Sequence, residues 1–185
     1  PAAAASVLTK NLDKDKALLV GPGLGLEDYT AAFIKSLLTG HSTRSHRGRI
    51  GFIAAPQGAA QAGEDKSLPP LVLDADALKL IAPIEDWWKL LPDQTVLTPH
   101  PGEMAALTGL TIDQVQADRA AVALKFARQW DCVVILKGAF SVVAAPSGDL
   151  TVIPVATPAL AKAGSGDVLA GVLVGLMAQG MPAYP

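Results

Sequence analysis

Leu71-Val72-Leu73-Asp74-Ala75-Asp76 and Thr95-Val96-Leu97-Thr98-Pro99-His100-Pro101-Gly102-Glu103 repeat one arrangement, a short buried-strand run that stops at a polar turn. Runs that short and that apolar suit strands covered on both faces, each handing over to a helix. The same grammar continues outward in both directions. Upstream, Ala17-Leu18-Leu19-Val20 breaks into Gly21-Pro22-Gly23-Leu24-Gly25, after which Tyr29 to Leu38 carries helical apolar spacing. A second candidate strand, Arg49 to Ala54, leads into a polar, broken segment from Pro56 to Pro70 that reads as a surface loop. Downstream, Thr111-Ile112-Asp113-Gln114 is a capping box, and Val122, Phe126 and Trp130 recur on one face of a helix ending near Trp130. Val133 to Lys137 is a further strand, and Phe140 to Ala145 pairs with Leu150 to Pro154 across the turn Pro146-Ser147-Gly148-Asp149 as a hairpin. Gly166 to Gln179 is apolar almost all round, which predicts a buried helix. The alternation defines an α/β domain.

Composition narrows the partners. With 185 residues and 50% apolar content the chain can bury a core, and residues 1–185 are expected to form a single domain without internal repeats. A charged fraction of 17% and a net charge of −2 leave no strongly basic face, so nucleic acid is excluded as the expected partner. No stretch approaches the ~18 uninterrupted apolar residues of a membrane helix, and a soluble protein is expected. Cys132 is the sole cysteine, which rules out an intrachain disulfide; set in an apolar run, it reads as a buried, inert thiol in a reducing, cytoplasmic setting. Pro1-Ala2-Ala3-Ala4-Ala5-Ser6 reads as a linker or a cut end. Trp87 and Trp88 are expected to pack over a core edge, and His41, Arg44, His46, Arg47 and Arg49 to sit on a solvated loop.

The strongest chemical signal is Ala163-Gly164-Ser165-Gly166-Asp167 running into Val168-Leu169-Ala170-Gly171. A glycine-rich turn opening a helix presents unpaired N–H groups at the positive end of the helix dipole, a ready anion site formed by Gly164, Ser165 and Gly166. If phosphate binds there, Asp167 suits a base that takes a proton from an attacking hydroxyl; the alternative is an ordinary aspartate cap. Asp74 and Asp76 end a strand where doubly wound folds place ligands, and serve either a hydroxylated substrate or metal or simply the turn. His100 lies between two prolines, so its backbone is pinned and its ring can be aimed into a cleft. Glu103 falls in the first turn of the next helix, where the dipole alone accounts for a carboxylate. Lys137-Gly138-Ala139-Phe140-Ser141 can line an open edge while Lys137 offers a point charge to a nucleotide; a solvated lysine is the alternative. The Gly21 to Gly25 loop lacks both the P-loop ending and the dinucleotide spacing.

Taken in order, Val20-Gly-Pro-Gly-Leu-Gly25, Leu73-Asp-Ala-Asp-Ala-Leu78, Leu97-Thr-Pro-His-Pro-Gly-Glu-Met104, Leu136-Lys-Gly-Ala139 and Gly164-Ser-Gly-Asp-Val-Leu-Ala-Gly171 resemble the ADP- or ATP-dependent NAD(P)H-hydrate dehydratase family. The Thr-Pro-His-Pro-Gly-Glu-Met segment is the specific part, because ribokinase-like kinases at large share the Gly-x-Gly-Asp turn. The resemblance implies a ribokinase-like three-layer α/β/α sandwich with a mostly parallel sheet. It implies that Gly23, Gly25, His100 and Asp167 contact hydrated NADH or NADPH, with Asp167 catalytic. It further implies that Lys137, Gly138, Ala139, Phe140, Ser141 and Gly166 hold the adenine nucleotide, with Mg2+ accompanying ADP or ATP, in a homo-oligomer. Family members carry a further stretch before the Gly-Pro-Gly loop, whereas twenty residues precede Gly21 here, so the expected sandwich is shortened at its N-terminus. A ribokinase-like small-molecule kinase and a nucleotide-binding fragment without turnover are the competing readings.

Overall fold

A computed structural model describes residues 1–40 and 68–184. The expected strand at 49–54, the basic run at 41–49 and all but the last three residues of the expected loop at 56–70 lie outside the described residues. The strands are β1 (Leu18–Val20), β2 (Leu71–Leu73), β3 (Thr95–Leu97), β4 (Val133–Leu136), β5 (Val142–Ala144) and β6 (Leu150–Val152). They form one sheet in chain order, with β1 to β4 parallel and β5 and β6 antiparallel additions. The β5–β6 pair is the hairpin read from the sequence.

Successive strand residues face opposite layers. Leu71, Leu73, Leu97, Val134 and Leu136 join a core with α1 (Ala2–Asn11), α2 (Asp28–Thr39), α3 (Asp76–Ile81), α4 (Pro101–Thr108), α5 (Ile112–Ala117) and α6 (Arg119–Trp130). Val72, Val96, Val133 and Ile135 pack instead against Ala170 and Met177 of α7 (Ser165–Ala178). Both faces of the central strands are therefore covered, which is why their sequences are continuously apolar rather than alternating. The result is the expected three-layer α/β/α arrangement. Cys132 is buried, as expected.

Three expectations are corrected. The Ala-rich start is α1 rather than a linker: alanine has the highest helix propensity, and Ala5 is buried in the core. The segment from Thr111 to Trp130 is two helices. Thr111 and Gln114 do form a reciprocal capping box, but Asp118 leaves helical geometry (φ −149°), and its carboxylate caps α6 by accepting from the Ala121 N–H at 2.9 Å. Finally, α7 is not buried all round. Val168 (68% exposed), Val172 (55%) and Leu176 (36%) form an outward stripe at four-residue spacing, because among the described residues the sheet contacts only the opposite side of the helix.

The tryptophans are placed as read: Trp87 is buried with ring centroids 4.8 Å from Trp130 and 5.6 Å from Trp88, and Phe126 lies 4.9 Å from Trp130. This cluster ties the loop before β3 to the end of α6. Trp130→Ala should cost about 3–5 kcal/mol by removing a fully buried ring, read as a lowered urea midpoint with an unchanged slope.

Candidate functional site

The parallel strands end at one edge of the sheet, and their hydrogen-bond ladder continues into the turns that follow. Asp74 N–H donates to Val20 O (3.1 Å), Thr98 N–H to Leu73 O (3.1 Å) and Lys137 N–H to Pro99 O (2.8 Å). The polar turns after β1, β2, β3 and β4 are thereby held side by side at the carboxyl edge, where open α/β sheets bind ligands. Gly21 makes the approach possible: at φ +138°, a Cβ there would lie 1.7 Å from the Asp74 carbonyl oxygen.

On this edge Lys137 meets its counter-charge. Its Nζ lies 2.6 Å from Asp74 Oδ1 and 3.8 Å from Glu103 Oε2. The Thr98 hydroxyl also bonds Asp74 Oδ1, at 2.7 Å. Asp74, Thr98 and Glu103 are buried. A buried carboxylate needs paired charge and hydrogen bonds, and Asp74 has both. A Cβ at Gly166 would stand 3.5 Å from Lys137 Nζ and 3.8 Å from Asp74 Oδ2, so the first turn of α7 rests directly on this pair.

The opening of α7 keeps the features of an anion site. Gly164 (φ +85°) precedes it without a side-chain cap. The Ser165 N–H is used internally, donating to Lys162 O at 3.2 Å, and the Val168 N–H bonds Gly164 O at 3.0 Å. Among the described residues, the N–H groups of Gly166 and Asp167 have no hydrogen-bond partner and are left as donors in the first turn of α7, which Gly166 seats against Lys137. Asp167 is exposed in that turn.

His100 is placed differently from the reading of a ring aimed by its prolines. The ring folds back onto α4, where Nδ1 accepts from the N–H groups of Gly102 (3.0 Å) and Glu103 (3.2 Å). Glu103 reciprocates, its Oε2 accepting from the His100 N–H at 2.8 Å. Because Nδ1 accepts, the ring proton sits on Nε2, which lies 3.3 Å from Glu103 Oε1. Gly102 leaves room for the ring: a Cβ there would stand 2.9 Å from His100 Cε1. The ring is half-exposed at the rim, and Glu103 connects it to Lys137.

Asp76 holds the glycine loop, its Oδ2 accepting from the Gly25 N–H at 3.1 Å. The edge therefore gathers Asp74, Thr98, Glu103, Lys137 and Gly166, with His100 joined through Glu103. Gly25 joins through Asp76, and Gly23 stays exposed on the same loop. Phe140, at φ +54° and exposed, and Ser141 extend the turn after β4. Sequence reasoning missed Thr98 as a partner of Asp74 and Glu103 as the cap partner of His100. The spacing of His100 and Glu103, Ncap to N3, was the available signal for the second, hidden because histidine is an unusual cap.

A model of the family described as NAD(P)H-hydrate dehydratase matches residues 52–185. The bifunctional NAD(P)H-hydrate repair enzyme Nnr of Salinibacter ruber is 42% identical over 185 residues, covering 98% of this chain and 28% of that protein. The ADP-dependent (S)-NAD(P)H-hydrate dehydratase of Xanthomonas campestris is 38% identical over 169 residues, covering 90% of this chain and 47% of that protein. Among solved structures, the Bacillus subtilis ADP/ATP-dependent NAD(P)H-hydrate dehydratase, co-crystallized with ATP/Mg2+, superposes with a TM-score of 0.63 at 29% identity over 92% of this chain and 52% of that one. A ribokinase-like superfamily protein of Enterococcus faecalis reaches 0.70 at 22% identity over 96% of this chain and 52% of that one, a likeness of fold alone. The chain spans about half the length of those solved structures and less than half that of these two curated relatives.

The sheet order and the superposition define an α/β protein with a ribokinase-like fold. Within that class, the chain belongs to the NAD(P)H-hydrate dehydratase family.

Lys137→Met should cost about 3–5 kcal/mol by leaving Asp74 a buried, uncompensated charge. Adding Asp74→Asn should recover part of that loss, giving a coupling of about 1–3 kcal/mol in a double-mutant cycle followed by chemical denaturation.

Proposed function

We propose that this chain carries a nucleotide-dependent dehydratase site that converts the S epimer of hydrated NADH or NADPH back to the reduced cofactor, a metabolite-repair reaction of the hydro-lyase class. The observation that carries the reading is the seating of the α7 turn on Lys137: free N–H groups, a helix dipole and a held positive charge converge on one spot. A terminal phosphoryl group of ADP or ATP fits that convergence. The turn from Lys137 to Ser141, with Gly166, holds the nucleotide; Gly23, Gly25, His100 and Asp167 contact the hydrated nicotinamide.

Hydroxide leaves poorly from the hydrated ring, and phosphorylation changes the leaving group. Asp167 takes the proton of the ring hydroxyl as its oxygen attacks the terminal phosphorus, and the bond from that phosphorus to its bridging oxygen breaks. Gly166 and Asp167 N–H groups, with Lys137, stabilise the charge that spreads over the phosphoryl oxygens. The ring nitrogen's lone pair then expels phosphate, and loss of a ring proton restores the dihydronicotinamide. Among the described residues no three His, Cys, Asp or Glu side chains converge on a metal cage. Mg2+ would accompany the nucleotide and would supply charge neutralisation on the transferred group.

The family resemblance also implies a homo-oligomer working in the cytoplasm. The outward apolar stripe of α7 supports association between copies; a monomer at every concentration in sedimentation velocity would overturn that part.

Incubating the chain with S-hydrated NADH and either ADP or ATP should restore NADH absorbance in a nucleotide-dependent manner. Asp167→Asn should slow this by about 10²–10⁴-fold through loss of the base. No nucleotide-dependent recovery would sink the dehydratase reading, and a stable phosphorylated product that accumulates would make the protein a small-molecule kinase instead.

A further inference from the structure

Arg119, the first residue of α6, reaches across to the turn between β4 and β5. Its Nη2 donates to Leu136 O (2.8 Å) and Lys137 O (3.1 Å), and its Nη1 donates to Ala139 O (3.1 Å). The Ser141 hydroxyl donates to the remaining carbonyl, Gly138 O, at 3.0 Å. Every carbonyl from Leu136 to Ala139 is thus occupied, while the N–H groups of Gly138 and Ala139 make no hydrogen bond to the described residues. Gly138 has φ +143°, a conformation that favours glycine, and a Cβ there would press on the Arg119 guanidinium.

This grip is costly. Burial holds the Arg119 guanidinium below its ordinary pKa, and its buried Nε has no partner among the described residues. Apolar packing in its place would leave these carbonyls without that donor. What a planar guanidinium adds is a fixed fork that can hold several carbonyls in one relative geometry. The geometry held here is that of Lys137, whose carbonyl is taken by Arg119 while its Nζ is taken by Asp74.

We propose that Arg119 is a positioning residue for the adenine nucleotide, its guanidinium fixing the turn from Leu136 to Ala139. In that geometry Lys137 is held against the α7 turn, and the Gly138 and Ala139 N–H groups stay available to acceptor atoms of the nucleotide. The inference rests on the reading of Lys137 to Ser141 as the nucleotide turn and deepens it. Arg119 touches neither substrate nor nucleotide; it acts through the turn.

The test compares the unmodified chain with Arg119→Ala and Arg119→Lys. Calorimetric titration with ADP and with ATP is run beside titration with NADH as a probe of the nicotinamide side, and thermal melting reports folding. Arg119→Ala should weaken nucleotide binding by about 10- to 100-fold, the scale expected when a positioned group is loosened, and leave NADH binding unchanged. Arg119→Lys, which folds with one donor group in place of a fork, should lie between the two. Millimolar guanidinium ion should restore nucleotide binding to Arg119→Ala and add nothing to the unmodified chain. Nucleotide binding by Arg119→Lys and Arg119→Ala equal to that of the unmodified chain overturns this inference alone. Equal loss of NADH and nucleotide binding, or loss that tracks unfolding and resists guanidinium, also overturns it by making Arg119 merely structural. If the unmodified chain binds neither ADP nor ATP, the nucleotide reading itself falls.

Discussion

A lysine set beneath the positive end of a helix needs a negative partner, and Asp74 is the partner that Lys137 has. Much of the carboxyl edge follows from that contact. Asp74 can be buried because Lys137 and Thr98 satisfy it. Lys137 can lie under α7 because Gly166 has no side chain to displace it. Gly21 is a glycine because Asp74's own backbone occupies the space where a Cβ would go. Turns separated by long stretches of sequence are thus mutually dependent, and their residue types are fixed by what the neighbouring turn places against them.

The strands were legible because full burial on both sides makes them short and continuously apolar, as at Leu71 to Leu73 and Val133 to Leu136. Where periodicity and partner disagree, the sequence was a poorer guide. The residues of α7 are apolar all round, yet which side of a helix is covered depends on neighbours that the helix's own sequence does not encode. The break at Asp118 was hidden for a different reason: Asp is tolerated within a helix and also caps one, and the choice falls to the packing on either side.

At the candidate site, residues with a local pattern were easier to single out than the pairings between them. Gly166, Asp167, Lys137 and His100 stand out through local pattern: a glycine turn at a helix start, a charge at a strand end, a ring between prolines. The pairings of Asp74 with Lys137, 63 positions apart, and of Asp76 with the Gly25 N–H, 51 apart, depend on strand order. No local spacing carries strand order. His100 shows the reverse failure, since its ring makes a local cap, but one that histidine seldom makes.

The sharing of Asp74 bears on how an anion could be admitted. An anion at the α7 turn would compete with Asp74 for Lys137 Nζ, and a buried carboxylate left without a donor is strongly unfavourable. Besides Lys137, Asp74 Oδ1 has a second donor, the Thr98 hydroxyl at 2.7 Å. Glu103, 3.8 Å from the same Nζ, is likewise kept by the His100 N–H at 2.8 Å. Both acids therefore have a donor besides Lys137. Lys137 is thus paired with two acids that do not depend on it alone, an arrangement that would suit a charge shared with an anion.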